Sequence, residues 1–309
     1  MSEGPKSIRV KAGSLELAAL DYGNVGASPV VLLHGQADLA WSMHSVAVAL
    51  ASRFRVVSLD FRGHGDSPQP GAYSILHLVA DLNGAIEALG LERPLLIAHS
   101  LGGHIAATWA GLFPGRAAGL VLIEGTGPPA HNAAATQEGH DQLARAYVAL
   151  LGTPMAHKPM ADIAEAAARL VRAHPRLAPE RARFLAECGT TTGPDGGLVW
   201  KFDPRTREWI SSVDHVATER RWRAVDAPVL VITGADSWDN WWNARRFGVA
   251  VAEGRQRLTE DEFAARLAAF VDHEHAVIEG AGHMVQFDQP DRLNEVILGF
   301  LSRRGFCAG

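Results

Sequence analysis

PLLIAHSLGGHIAA, Pro94 to Ala107, decides the architecture. An apolar run, a corner at Ser100 and an Ala-rich segment read as a strand, a one-residue turn and a helix. Ala98 and Gly102 stand two residues either side of Ser100, where a strained turn needs small side chains if the serine is to clear the backbone. The spacing is that of a nucleophile elbow with Ala in place of its first Gly. Such a corner puts the serine hydroxyl at the carboxyl end of the strand and aims the Leu101 N–H, with the positive end of the following helix, at whatever Ser100 touches.

Working outward, the same chain carries HGQ at His34 to Gln36, DFRGHGDS at Asp60 to Ser67 and GAGHMVQFDQP at Gly280 to Pro290. With the serine corner these motifs resemble the α/β-hydrolase family over most of the chain. The resemblance implies a mostly parallel, doubly wound sheet of about eight strands with an inserted helical cap. The periodicity agrees. Pro29 to Leu33, Phe54 to Leu59, Gly119 to Ile123 and Pro228 to Thr233 are unbroken apolar runs, as strands covered on both faces should be. Ile8 to Val10 and Leu15 to Leu20 read as an antiparallel hairpin, and His275 to Ile278 as the last strand. Ser74 to Leu89 has apolar residues at the spacing of an amphipathic helix, closed by Gly90. Thr259 to Glu262 reads as a capping box.

Between Gly125 and Ala224 the character changes to helical segments around Gln142 to Leu151, Met160 to Val171 and Pro179 to Cys188, then a Gly-rich passage with a short hairpin near Leu198 to Phe202. That is too long for a loop between strands. The expected division is therefore a core domain of 1–124 and 225–309 with a mostly helical cap of 125–224. Its aromatics, with Trp200 and Trp209, and Trp238 after the next strand, are expected to form an apolar substrate pocket.

A serine hydroxyl needs a base, and the base needs a carboxylate to orient it. The family's chain order is nucleophile, acid, histidine, which makes His283 the expected base. Its acid usually lies three or four residues past the Gly ending the strand Val229 to Thr233, positions here held by Ser237 and Trp238. Asp236 and Asp239 flank them, and Glu124 ends the earlier strand where some relatives carry their acid. Asp236 is the preferred reading, with Glu124 and Asp239 open. The resemblance makes the Gln36 and Leu101 N–H groups the oxyanion donors. Asp60, Arg62, His64 and His34 read as scaffold.

Acyl transfer to water follows as the expected chemistry, with carboxylic esters of small to medium, largely apolar substrates. A serine at the elbow disfavours the epoxide opening and dehalogenation that relatives perform with a carboxylate. Hydrolysis of a carbon–carbon bond in a vinylogous diketone and a non-enzymatic small-molecule receptor are the alternatives. The chain has 309 residues, 47% of them apolar, a net charge of −5 without charge runs, and two distant cysteines, Cys188 and Cys307. Neither nucleic acid nor membrane is expected as a partner, and no cofactor or metal, His273-Glu274-His275 alternating as a strand would. With no leader-like start and no ~20-residue apolar span, the cytoplasm is the expected location. Oligomeric state is left open.

Overall fold

The computed structural model describes residues 4–126, 155–237 and 260–306, with isolated positions between 141 and 152. The expected helix at Gln142 to Leu151 falls almost wholly outside the described residues, as do Trp238, Asp239 and Thr259. Eight strands form one sheet: β1 (Lys6–Ala12), β2 (Leu15–Asp21), β3 (Pro29–Leu33), β4 (Arg55–Leu59), β5 (Leu95–His99), β6 (Gly119–Ile123), β9 (Val229–Gly234) and β10 (His273–Ile278). A separate two-stranded hairpin pairs β7 (Thr190–Thr192) with β8 (Leu198–Trp200), where the turn residues Gly193 to Gly197 predict it. The large sheet runs β1-β2-β4-β3-β5-β6-β9-β10. Only β2 runs against its neighbours.

The unbroken apolar strands are buried on both faces because side chains alternate with period two. Val31, Leu33, Leu96, Ala98, Leu120 and Leu122 pack on the face covered by helices Ile75–Ala88 and Leu101–Leu112. Val30, Leu32, Leu95, Ile97, Val121 and Ile123 pack on the other, under helices His44–Leu50 and Pro290–Arg303. The chain adds β4 on one side of β3 and then β5 on the other. This reversal opens a crevice at the carboxyl ends of β3 and β5, the place where such sheets hold ligands. Gln36 follows β3 and Ser100 follows β5, so both belong to that crevice.

The segment inserted between β6 and β9 contributes helices Ile163–Ala173 and Pro179–Gly189, a 3-10 helix at Pro204–Ser212 and helix His215–Trp222. Asp162 caps the first by accepting from Glu165 N at 2.9 Å, and Glu165 returns a bond to Ala161 N at 2.8 Å. The last part of the segment is rooted in the main core: Trp209, Trp222 and Val225 are buried with Leu101, Ile105 and Trp109. No helix among the described residues is long and apolar enough to cross a membrane.

Candidate active site

Ser100 sits at φ 50°, ψ −114°, a left-handed conformation costly for any residue but glycine. Close packing around the corner holds it there. A Cβ on Gly102 would lie 2.7 Å from the His34 carbonyl oxygen, and one on Gly103 2.5 Å from Gly125 Cα. No side chain fits at either position. The elbow helix can therefore press against the β3 and β6 loops, presenting its first turn to the crevice.

His283 enters from the loop after β10. Its Nε2 lies 3.0 Å from Ser100 Oγ and its Nδ1 lies 3.3 Å from Glu124 Oε2. A carboxylate at Nδ1 keeps the ring proton there and leaves Nε2 to accept from the serine. His99 Nε2–H donates to the His283 carbonyl at 2.9 Å, tying the loop to the strand that carries Ser100. Burial drives the His99 pKa down to about 3, so this ring is a neutral brace.

The carboxylate beside His283 Nδ1 is that of Glu124, the alternative to the preferred Asp236. It ends β6 with φ 51°, and its N–H donates to the Ile232 carbonyl at 2.8 Å, placing it beside the end of β9. Its Oε1 accepts from Gly234 N at 2.8 Å and its Oε2 from Ser237 Oγ at 2.6 Å. Burial pushes the Glu124 pKa up to about 7, opposed by these two hydrogen bonds. Asp236 is nearby only through its backbone, which donates to the Ala281 carbonyl at 2.9 Å. Its carboxylate, 41% exposed, accepts from Arg176 Nη2 at 2.6 Å. Successive side chains of this turn diverge, so Asp236 faces solvent and buried Ser237 faces Glu124. Asp239, the third candidate acid, lies outside the described residues.

The loop after β3 is fixed from three sides. Ala37, at φ 57°, donates its N–H to His64 Nε2 at 3.2 Å, and His64 Nδ1–H donates to the Arg62 carbonyl at 3.0 Å. Asp60 accepts from Ala40 N at 2.6 Å and Asp66 N at 3.0 Å, while Arg62 clamps Asp81 at 2.5 and 2.6 Å. His34 Nε2 accepts from Phe61 N. The Gln36 side chain is part-buried at the cavity and is held in place: it donates to Thr206 Oγ1 at 2.8 Å and accepts from Trp209 Nε1 at 2.7 Å. Its N–H and that of Leu101 have no bonded acceptor among the described residues, consistent with a pair of free donors beside Ser100.

A cavity of about 740 Å³ opens over Ser100 and His283, lined from both the sheet loops and the inserted segment. Trp200 lines it, as expected. Trp209 does not, because its indole is buried in the core and bonded to Gln36. Trp238 lies outside the described residues. Leu39, Leu170, Leu185, Phe202, Met284 and Phe287 supply apolar wall. The same cavity also carries cationic side chains that the aromatic pattern did not predict, Arg172 and Arg207 among them. The residues of His273-Glu274-His275 bond elsewhere, to the Phe270 carbonyl, to Arg303 and Arg304, and to Thr233.

With this geometry in view, residues 30–296 match the model of the alpha/beta hydrolase family. The chain belongs to that family. A serine hydrolase-like protein of Danio rerio is 34% identical over 112 residues, 35% of this chain and 34% of that protein. The match thus spans about a third of that relative's length. Epoxide hydrolase A of Mycobacterium tuberculosis is 25% identical over 96% of this chain and 98% of its own. The thioesterase domain from the curacin biosynthetic pathway superposes with a TM-score of 0.79 at 22% identity, covering 96% of this chain and all of that domain, a likeness of fold.

Two contributors to the site escape reading along the chain. Ser237 occupies the position where relatives place their acid, and a non-acid there is itself a pointer to Glu124. Thr206, which holds Gln36, carries no local signal because the two are 170 residues apart.

Proposed function

We propose that this protein is a hydrolase, a serine esterase that cleaves carboxylic esters of small to medium size through an acyl-enzyme on Ser100. The observation that carries the reading is the hydrogen-bonded chain from Ser100 Oγ through His283 to Glu124, at 3.0 and 3.3 Å. His283 Nε2 takes the serine proton as Oγ attacks the ester carbonyl, and Glu124 stabilises the resulting imidazolium through Nδ1–H. The Gln36 and Leu101 N–H groups receive the oxyanion. When the tetrahedral adduct collapses, the imidazolium returns its proton to the departing alcohol. Water then gives a proton to Nε2 as it attacks the acyl carbon, and the second adduct breaks its bond to Oγ, which takes the proton back from the imidazolium as the carboxylic acid leaves.

The match to epoxide hydrolase A argues for common descent, and the elbow residue argues for different chemistry. A carboxylate nucleophile opens an epoxide into an ester that water can cleave at its carbonyl. A serine would form an ether, with no carbonyl for water to attack. Esters suit Ser100 and epoxides do not. The inserted segment acts in this reading as the cap that sets substrate preference, with its apolar wall taking the acyl chain. No helix crosses a membrane among the described residues, and we place the enzyme in the cytoplasm.

Intact-mass and peptide analysis after fluorophosphonate treatment tests the assignment. A single adduct on Ser100, absent in Ser100→Ala together with ester turnover, is the expected result. An adduct on another serine, or full turnover in Ser100→Ala, removes it.

A further inference from the structure

The cavity over Ser100 is lined by Arg169, Arg172, Arg176, Lys201 and Arg207 against the carboxylates of Asp38 and Asp288. Most of these charges are accounted for within the fold. Arg169 bonds Glu165 and the carbonyls of Lys158 and Pro159. Arg176 bridges Asp236 and Asp288, and Lys201 pairs with Asp66 at 2.7 Å. Asp38 accepts from Leu39 N at 3.0 Å within its own loop, and burial raises its pKa to about 7, which weakens its charge near neutral pH. Arg172 and Arg207 remain. Both are exposed, and neither makes a hydrogen bond or ion pair among the described residues.

They come from different elements, Arg172 from the last turn of helix Ile163–Ala173 and Arg207 from the 3-10 helix Pro204–Ser212. A helix end favours a cation, which would account for Arg172 by itself. It does not account for Arg207, which sits mid-element and lines the same cavity. Guanidinium groups present planar donor pairs that match a carboxylate, and two unpaired ones above an apolar wall describe a receptor for an amphiphilic anion.

Resting on the serine-esterase reading, we infer that the natural substrate is an acyl ester bearing a carboxylate at the end remote from the scissile carbonyl, received by Arg172 and Arg207. The acyl chain lies along the apolar wall while the charged end stays at the solvent-facing side, so little desolvation opposes binding.

The test compares the mono-para-nitrophenyl ester of adipic acid with para-nitrophenyl hexanoate, which differ only in a terminal carboxylate against a methyl group. The wild type should favour the charged ester severalfold in kcat/KM at low ionic strength. That ratio should fall about threefold in Arg172→Gln or Arg207→Gln and about tenfold in the double variant. It should also fall as salt rises from about 20 mM to about 500 mM, since exposed charges are screened. Turnover of both esters with a ratio of one or less in the wild type, or a ratio unmoved by the double variant, overturns the inference and leaves the esterase standing. Turnover of neither ester, with no fluorophosphonate adduct on Ser100, overturns the esterase and this inference with it.

Discussion

Glu124 and Asp236 are carboxylates at the ends of two neighbouring parallel strands, and the fold treats them oppositely. Glu124 is held by two donors, the Gly234 N–H and the Ser237 hydroxyl, with His283 on its inner side. Asp236 is 41% exposed and paired with Arg176, itself 45% exposed. Burial makes Glu124 responsive to what surrounds it and makes its charge felt by the imidazole, because few waters screen it. Exposure makes Asp236 an ordinary surface ion pair. An orienting carboxylate is thus selected by the donors and burial around it, more than by its distance along the chain from a strand end.

The widest separation between the two should appear in turnover. Glu124→Gln removes the charge that stabilises the imidazolium and turns an N–H toward Nδ1, so kcat/KM should fall by up to about 10⁴. Asp236→Asn should stay within about threefold. Steady-state kinetics with one ester decides it, and the reverse order would return Asp236 to the acid position.

Between the two carboxylates lies Gly234, where an added Cβ would stand 2.3 Å from the Ala281 carbonyl oxygen. Backbone cannot yield there without moving the loop that carries His283. Gly234→Ala should cost about 2 to 3 kcal/mol, seen as a lower thermal midpoint, with activity reduced as well. A variant as stable as the wild type would mean that the two loops are not pressed together.

The pH profile sharpens the contrast. Glu124 must be ionised to hold the Nδ1 proton, so activity should rise with pH through about 7, the value to which burial pushes its carboxyl. The Ser237 hydroxyl lowers that pKa, and Ser237→Ala should move the rising limb up by about one pH unit. Asp236→Asn should leave the limb in place. Stability runs the other way. Because the folded pKa is raised, the folded state binds the proton more tightly, so the contribution of Glu124 to stability is full below its unfolded value and is lost as pH rises through about 7. Denaturant midpoints at pH 5 and 8 should therefore differ less in Glu124→Gln than in the wild type.

The smallest effect belongs to the exposed pair. Asp236→Ala removes this pair while leaving Arg176 with Asp288, and because Asp236 and Arg176 are both over a third exposed the change should cost no more than about 1 kcal/mol in equilibrium unfolding. A larger loss would show that Asp236 does more than decorate the surface.

Sequence alone determined the order of strands and helices, the serine at its corner and the histidine in its loop. Each rests on a local pattern: unbroken apolar runs such as Pro29 to Leu33, small residues either side of Ser100, a Gly-flanked His283 after the last strand. Local sterics and burial dictate these within a dozen residues, so they can be read along the chain. The acid could not, because Glu124, Asp236 and Asp239 satisfied the same spacing. Only the juxtaposition of the β6 and β9 ends turned Ser237 and the Gly234 N–H toward Glu124 and sent the side chain of Asp236 to Arg176. The same holds for Gln36, bonded to Thr206 and Trp209 across the inserted segment, and for Trp209, whose indole lies in the core instead of the pocket. Hydrogen-bond direction and the charge lining a cavity depend on which residues meet from distant parts of the chain, and that is settled only when the sheet and its insertion pack together.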